Sequence, residues 1–226
     1  PAKVFMRFSL LIGCFAGVVA LGQTPKDKDA ERFEKWEKEI VGLEKRQSDK
    51  PPEKGGIVFA GSSSIRGWDV KKSFPEWNAI NSGFGGSEIR DSTHFAKRII
   101  TKHEPKAIVF YAGDNDIAGG RKPEQVLEDF KAFVAVVHKE LPKVTIHFVA
   151  IKPSISRWKR FDVQKEANAL VKDFCSKDER LQYLDIVPLM LGTDGQPKPE
   201  LFVKDGLHMT PEGYAVWNTA LKKVIK

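Results

Sequence analysis

Short apolar runs alternate with longer amphipathic stretches through most of the chain. The apolar runs lie at residues 57–60, 79–81, 107–112, 146–151 and 183–187. Apolar side chains recur at helical spacing near residues 30–47, 88–102, 123–140, 163–177 and 211–225. Pro123 and Pro211 stand where two of these helices are expected to begin, a position that proline favours. The pattern therefore predicts strands that alternate with helices.

The predicted strands are apolar along their whole length rather than at every second residue. Such strands are typical of a parallel sheet that helices cover on both faces. We therefore expect an α/β protein with a three-layer α/β/α, flavodoxin-like fold and a parallel sheet of roughly five strands. Ligands bind at the carboxyl ends of the strands in such sheets, so functional residues are expected there.

The N-terminal region has a different pattern. Two basic residues precede an apolar run over 8–21, and small residues follow it up to Gly22. The run is shorter than the ~20 residues that span a bilayer, so the pattern predicts a signal peptide over 1–22 and a secreted or periplasmic protein. Three alternatives stay open. The residues before Cys14 resemble a bacterial lipoprotein box, and the segment can also be an uncleaved anchor or a buried N-terminal helix.

The rest of the chain divides into two parts. Residues 23–54 are expected to form a polar linker and one amphipathic helix, which ends at the sequence KPPEKGG. The apolar face of that helix consists of Phe33, Trp36, Ile40 and Leu43. Residues 55–226 are then expected to form one domain, long enough to bury a full core.

Composition and charge narrow the choice of partners. The chain is 41% hydrophobic and 30% charged, which is typical of a globular protein. Its net charge of +7 comes from scattered Lys and Arg residues, which indicate a solvated basic surface rather than a nucleic-acid site.

After signal cleavage Cys175 is the remaining cysteine, so no disulfide can form within the chain. Its apolar helical position predicts a buried thiol.

Small and polar residues follow several predicted strands. The first strand ends in GSSS at 61–64, the second in NSGFGGSE at 81–88 and the third in YAGDNDIAGG at 111–120. After the fifth strand comes KDGLHMTPEGY at 204–214. Because the fold brings these strand ends to one edge of the sheet, they are expected to form one site.

Several cofactor and metal motifs are excluded at these strand ends. Glu88 stands where a dinucleotide-binding loop needs its third glycine, and no glycine loop is followed by the Lys-Ser/Thr pair of a P-loop. Ala118 and Gln125 occupy ligand positions of a calcium loop. The histidines lack the spacing of zinc ligands. We therefore predict no cofactor and no metal.

Asp205 and His208 are three residues apart in a predicted turn. There the carboxylate can accept a hydrogen bond from one ring nitrogen while the other nitrogen points outward as a base. By itself this spacing is a weak signal, and it is more often found in an ordinary surface turn. Beside a serine-rich strand end, Asn115 and a glycine-rich loop, it favours the base and the orienting carboxylate of a serine hydrolase.

These segments together resemble the SGNH hydrolase superfamily, also called GDSL-type esterases and lipases. The G-D-S-x block of that family is similar to GSSS and places Ser63 at the nucleophile position, with Ser62 instead of the usual Asp. Gly86 matches the glycine of its second block. The resemblance covers about residues 55–222. The segments GSSSIRGW and DGLHMTPEGY also resemble the branch near the platelet-activating-factor acetylhydrolase catalytic subunits.

Two further blocks complete the resemblance. Gly113, Asn115 and Asp116 match G-x-N-D, and Asp205 with His208 matches D-x-x-H. The α/β-hydrolase elbow G-x-S-x-G does not fit, because Ile65 replaces its second glycine.

The resemblance implies a serine esterase with Ser63 as nucleophile, His208 as base and Asp205 as the orienting carboxylate. The implied oxyanion donors are the Ser63 and Gly86 backbone N–H groups and the Asn115 side-chain amide. Two other functions stay open. One is a non-catalytic flavodoxin-like binding module, and the other is a transacylase or lysophospholipase that uses the same residues.

The expected substrate is a small-molecule or carbohydrate acyl ester with a short acyl group such as acetyl. The chain has no long apolar lid segment, and its short connections predict a shallow, open groove. Arg66, Arg157 and Trp158 are candidate substrate-binding residues, because Trp158 can stack on a sugar and Arg157 can hold an anion. An ordinary basic loop is an equal alternative for the segment 152–162. Neither nucleic acid nor stable membrane insertion after cleavage is expected, and the oligomeric state is left open.

Overall fold

The computed structural model describes residue 2 and residues 28–49 and 53–225. Apart from Ala2, the predicted signal peptide lies outside the described residues, and so does Cys14. The cleavage site and the lipoprotein alternative therefore stay predictions. Among the helices of the described ranges, none combines the length and the apolar character that crossing a membrane requires.

Five parallel strands form one sheet in the order β2-β1-β3-β4-β5. The strands are β1 Ile57–Gly61, β2 Ile80–Gly83, β3 Ala107–Tyr111, β4 Thr145–Val149 and β5 Leu181–Leu184. Every side chain of β1 and β3 is buried, as expected for central strands that are covered on both faces. The predicted α/β fold with a five-stranded parallel sheet is confirmed.

Helices cover both faces of this sheet. They are α1 Lys28–Asp49, α2 Ser63–Arg66, α3 Val70–Ser73, α4 Ile89–Ile99, α5 Asp114–Ala118, α6 Pro123–Glu140, α7 Phe161–Cys175, α8 Val187–Met190 and α9 Pro211–Val224. Short 3₁₀ turns lie at Pro75–Trp77, Thr101–His103, Ile155–Arg160 and Pro199–Leu201. Pro123 and Pro211 lie in the first turns of α6 and α9, as predicted.

The side chains of each strand alternate between two hydrophobic cores. On β3, Ile108 and Phe110 enter the core shared with α1, α4, α6 and α7, whereas Val109 and Tyr111 enter the core shared with α3 and α9. Cys175 is buried in the first of these cores, which confirms the prediction of a buried thiol. The two cores are the interfaces of the α/β/α layers.

The last strand lies earlier in the chain than the hydrophobic pattern predicted. The apolar run at 183–187 predicted a strand, but β5 ends at Leu184 and the chain turns into α8. Asp185 Oδ1 accepts a hydrogen bond from the Val187 N–H at 3.2 Å, which starts that helix. Pro188 follows in its first turn and has no N–H to give to a neighbouring strand.

Candidate active site

The chain turns sharply from β1 into α2 at the three serines. Gly61 has φ of +128°, and a Cβ there would lie 1.9 Å from the Tyr111 carbonyl oxygen, so the turn requires glycine. Ser62 precedes the helix in an extended conformation, and Ser63 is the first helical residue. Ser62 and Ser64 are buried, whereas Ser63 is partly exposed at the carboxyl edge of the sheet.

Ser63, His208 and Asp205 form a chain of hydrogen bonds. Ser63 Oγ lies 3.0 Å from His208 Nε2, and His208 Nδ1 lies 2.6 Å from Asp205 Oδ2. Asp205 Oδ1 also accepts from the backbone N–H groups of Leu207 and His208. The hydrogen bond from the His208 ring is the main reason why the pKa of Asp205 is lowered to about 2. Asp205 is therefore ionised at neutral pH beside the imidazole.

The turn that carries Asp205 and His208 is held on two sides. The Val203 N–H donates to the His208 carbonyl at 2.8 Å, and the Ser156 N–H donates to the Gly206 carbonyl at 3.1 Å. Gly206 has φ of +65° and lies so close to Ile155 that a Cβ would be 3.1 Å from that side chain. The side chains of Asp205 and His208 are nonetheless 48% and 42% exposed, so the site is open to solvent.

The loop after β2 is attached to the end of β1. The Phe84 N–H and Ser87 Oγ both donate to the Gly61 carbonyl, at 3.0 and 3.3 Å. Between them Gly86 is exposed with φ of +72°, a conformation that glycine adopts without strain. The predicted oxyanion glycine thus lies at the same edge of the sheet as Ser63.

Asn115 and Asp116 connect the start of α5 to that loop. Asn115 Nδ2 donates to the Ser87 carbonyl at 3.0 Å, and Asp116 Oδ1 accepts from the Ile89 N–H at 3.0 Å. Burial raises the pKa of Asp116 to about 7. Because β2, β1 and β3 are neighbours, the loops that carry the three predicted oxyanion residues converge at one place.

A buried polar cluster lies behind Ser63 and was missed by the sequence analysis. Lys152 Nζ lies 3.0 Å from Tyr111 Oη, 3.2 Å from Ser64 Oγ and 3.3 Å from Asp114 Oδ2. Burial lowers the pKa of Lys152, and the Asp114 carboxylate opposes that effect. Burial would raise the pKa of Asp114, but the nearby cations outweigh it and the pKa is lowered. The position of Lys152 directly after an apolar run was a signal that could have identified it.

The candidate substrate-binding residues have protein partners of their own. Arg157 Nη2 donates to Asn115 Oδ1 at 2.8 Å, and its Nη1 lies 3.1 Å from Asp114 Oδ2. Trp158 stacks on the Phe161 ring, with a centroid distance of 4.5 Å. A direct role of these side chains in substrate binding stays a prediction.

Arg66, the third candidate, is exposed and lies against the loop after β2. Its Nη1 is 3.5 Å from Glu39 Oε1, and a Cβ on Gly85 would lie 2.4 Å from the same nitrogen. Its role in substrate binding likewise stays a prediction.

Helix α1 also contacts the loop after β2, which the sequence analysis did not predict. Glu39 Oε1 accepts from the Gly85 N–H at 3.2 Å. A Cβ on Gly86 would lie 3.6 Å from the Trp36 ring, so the indole flanks this glycine. The loop is therefore enclosed by α1 on one side and by α5 on the other.

The arrangement is suited to nucleophilic catalysis. A hydroxyl lies within hydrogen-bond distance of a ring nitrogen, and an ionised carboxylate orients the other nitrogen of that ring. A cavity of about 540 Å³ lies beside α3 and α9, and its lining includes Gly67 and Met209. Within residues 28–49 and 53–225, no group of three or more His, Cys, Asp or Glu side chains is arranged to hold a metal ion.

Comparison with known proteins identifies one matching protein family. The family model described as "GDSL-like Lipase/Acylhydrolase family" matches residues 59–216. No curated protein matches the chain by sequence.

Three solved structures are similar. A Streptococcus pneumonia protein provisionally named platelet activating factor is 18% identical with a TM-score of 0.76, covering 87% of this chain and 96% of that one. A provisionally named acylhydrolase from Bacteroides fragilis is 21% identical with a TM-score of 0.68, covering 88% and 98%. A GDSL-like lipase from Bacteroides thetaiotaomicron is 18% identical with a TM-score of 0.65, covering 85% and 96%. These likenesses show a shared fold.

Proposed function

Because the chain belongs to the GDSL-like lipase/acylhydrolase family, and is therefore a carboxylic ester hydrolase, we propose that it cleaves short-chain acyl esters with Ser63, His208 and Asp205 as its catalytic triad. One observation carries this proposal. The hydrogen-bonded chain from Ser63 Oγ through the His208 ring to Asp205, with distances of 3.0 and 2.6 Å, is the geometry that a serine nucleophile needs.

The reaction proceeds through an acyl-enzyme. Ser63 Oγ attacks the ester carbonyl carbon while its proton passes to His208 Nε2, and Asp205 stabilises the resulting imidazolium. The tetrahedral intermediate then collapses, the C–O bond to the alcohol breaks, and His208 returns the proton to the departing oxygen. A water molecule repeats the sequence on the acyl-enzyme, which releases the carboxylic acid and restores Ser63.

The oxyanion of the intermediate needs hydrogen-bond donors at the same edge of the sheet. The proposed donors are the backbone N–H groups of Ser63 and Gly86 and Asn115 Nδ2. As the first residue of α2, Ser63 has an N–H group without an intrahelical acceptor. Loss of one such donor typically costs ~3–4 kcal/mol of transition-state stabilisation.

The openness of the site supports a short acyl group, with acetyl as the proposed case. The side chains of His208 and Asp205 are close to half exposed, so a long acyl chain has little surface to cover it. An acetyl group needs almost no such burial. The substrate class proposed from the sequence is a small-molecule or carbohydrate ester.

A secreted location is proposed from the N-terminal sequence alone. The basic start, the apolar run over 8–21 and the small residues up to Gly22 support removal of a signal peptide. Mass spectrometry of the protein from its native host should find a mature N-terminus at or near Gln23. An intact 8–21 segment would refute cleavage, and a diacylglycerol mass on Cys14 would establish the lipoprotein alternative instead.

Replacement of the three adjacent serines tests the triad. Ser63→Ala should lower kcat for 4-nitrophenyl acetate by about 10⁴-fold or more without a change in Tm. Ser62→Ala is the matched control, because within the described residues the buried Ser62 hydroxyl has no hydrogen-bond partner, and we expect it to keep most of the activity. Ser64→Ala should likewise keep much of it.

Three results would point elsewhere. Full activity in Ser63→Ala would overturn the assignment of the nucleophile. Absence of ester hydrolysis by the wild-type protein would favour a binding module. Transfer of the acyl group to an added alcohol, measured by product analysis, would identify a transacylase that uses the same residues.

A further inference from the structure

We infer that Arg157 is a positioning residue that fixes the side-chain amide of Asn115 in the orientation that turns Nδ2 toward the oxyanion. This inference rests on the proposed function. It assigns Arg157 a role through Asn115 rather than through contact with the substrate.

The amide of an asparagine has two orientations of nearly the same shape, and only one presents N–H donors at a given place. In the structure Asn115 Nδ2 faces the Ser87 carbonyl at 3.0 Å and Oδ1 faces Arg157 Nη2 at 2.8 Å. A carbonyl can only accept and a guanidinium can only donate. A rotated amide would therefore set oxygen against oxygen and N–H against N–H, so both neighbours select the observed orientation.

One of the two Nδ2 hydrogens is used by the Ser87 carbonyl, which leaves the second for the oxyanion. The Asn115 amide is held by the Ser87 carbonyl and by Arg157. Without Arg157, the Ser87 contact alone of these two would oppose rotation of the amide. Arg157 also makes a charge-assisted hydrogen bond to Oδ1, which is stronger than a neutral one and polarises the amide toward better donation by Nδ2.

Arg157 is itself held from behind by the buried polar cluster. Its Nη1 lies 3.1 Å from Asp114 Oδ2, and Lys152 Nζ lies 3.3 Å from the same oxygen. Asp114 and Lys152 are almost completely buried, and the Arg157 side chain is 17% exposed. Two cations thus share the carboxylate of Asp114, the residue that precedes Asn115. The contact between Arg157 and Asp114 fixes the guanidinium relative to the Asn115 amide that it orients.

Arg157→Met tests the inference, with Arg160→Met as the matched control. Arg160 lies in the same 3₁₀ segment as Arg157. Its Nη1 donates to the Ile117 carbonyl of α5 at 3.0 Å, whereas Arg157 donates to the side chain of Asn115. Both variants remove a guanidinium that ties this segment to α5. We expect Arg157→Met to lower kcat for 4-nitrophenyl acetate about 10- to 100-fold, less than outright loss of a donor, with KM nearly unchanged. Arg160→Met should keep kcat near the wild-type value.

A double-mutant cycle separates positioning from general support of the fold. Asn115→Ala should lower kcat about 10²- to 10³-fold, and adding Arg157→Met to it should cause no further loss because the amide is already absent. Millimolar guanidinium should restore part of the activity of Arg157→Met but none in the double variant. If Arg157→Met does not fold, Arg157→Lys, which keeps the charge beside Asp114, takes its place in the same cycle.

The inference is overturned if Arg157→Met keeps wild-type kcat, or if it causes the same further loss in the Asn115→Ala background. Equal losses in Arg157→Met and Arg160→Met would also overturn it, because they would reflect attachment of the segment. Failure of the proposed function looks different: either the wild-type protein does not hydrolyse the ester, or Ser63→Ala and Asn115→Ala themselves keep full activity.

Discussion

Substitution of Arg32 by methionine should destabilise the protein strongly, because it leaves a buried carboxylate without its cation. Asp91 is fully buried in the first turn of α4. It accepts from Arg32 Nε and Nη2 at 2.7 and 2.6 Å and from the Glu88 N–H at 2.8 Å. Arg32 Nη2 also lies 3.0 Å from Glu88 Oε2. This pair joins α1 to the helix that follows the loop with Gly86.

The magnitude follows from burial. Removal of one partner from a buried ion pair costs about 3–5 kcal/mol. The Arg32 side chain is 15% exposed and Asp91 keeps its bond from the Glu88 N–H, so we expect the lower part of that range, about 3 kcal/mol. At roughly 2–4 °C per kcal/mol for a protein of this size, Tm should fall by about 6–12 °C.

Urea unfolding followed by tryptophan fluorescence measures this loss. Lys131→Met is the control, since it breaks the exposed pair with Glu128 and should cost less than about 1 kcal/mol. The double variant Arg32→Met/Asp91→Asn should recover at least about 1 kcal/mol relative to Arg32→Met, because the unpaired charge is gone. A loss below about 1 kcal/mol in Arg32→Met, or no recovery in the double variant, would show that the pair is not the source of stability.

Two further predictions concern pH and substrate length. Burial raises the pKa of Asp116 to about 7, so its contribution to stability is complete below its unfolded pKa near 4 and is lost as the pH rises through 7. The stability of Asp116→Asn relative to wild type should therefore be about 2.5 kcal/mol more favourable at pH 8 than at pH 5. Calorimetry that shows the same stability difference at both pH values would contradict this. For the acyl group, kcat/KM should peak from acetyl to butyryl esters and decline by octanoyl, since each uncovered CH₂ forfeits ~0.8 kcal/mol. Detergents or lipid interfaces should not activate, and a profile rising to dodecanoyl esters below their micellar range would refute an open groove.

The sheet and the edge that carries the site could be predicted because both depend on local patterns. Fully apolar runs specify buried parallel strands, and parallel strands place their carboxyl ends together. Asp205 and His208 are three residues apart, so a single turn brings their side chains within 2.6 Å. The pairing of that turn with Ser63 needed the resemblance of the motifs, because 145 residues separate Ser63 from His208.

The contacts behind the site could not be predicted, because they join residues that are far apart in sequence. Lysine is rarely buried without a partner, so Lys152 was not recognised as a site residue. Its carboxylate partner Asp114 lies 38 residues away. The contact of Arg157 with Asn115 was missed for the same reason, since the two residues are 42 positions apart in the sequence. The hydropathy pattern predicts which parts of the chain are buried, but it does not identify the residue that a buried polar side chain contacts.

These distant contacts account for how an exposed glycine can serve as a fixed donor. Gly86 makes the proposed donation from a loop, and loops are usually the mobile part of a fold. Here the neighbours of Gly86 are each tied to a different element: the Gly85 N–H to Glu39 of α1, and the Ser87 carbonyl to Asn115 of α5. Neither bond uses the Gly86 N–H itself. An oxyanion donor is effective only when it is oriented before the charge develops. The contacts of this loop with α5 and with α1, which lies outside residues 59–216, therefore support the proposed role of Gly86.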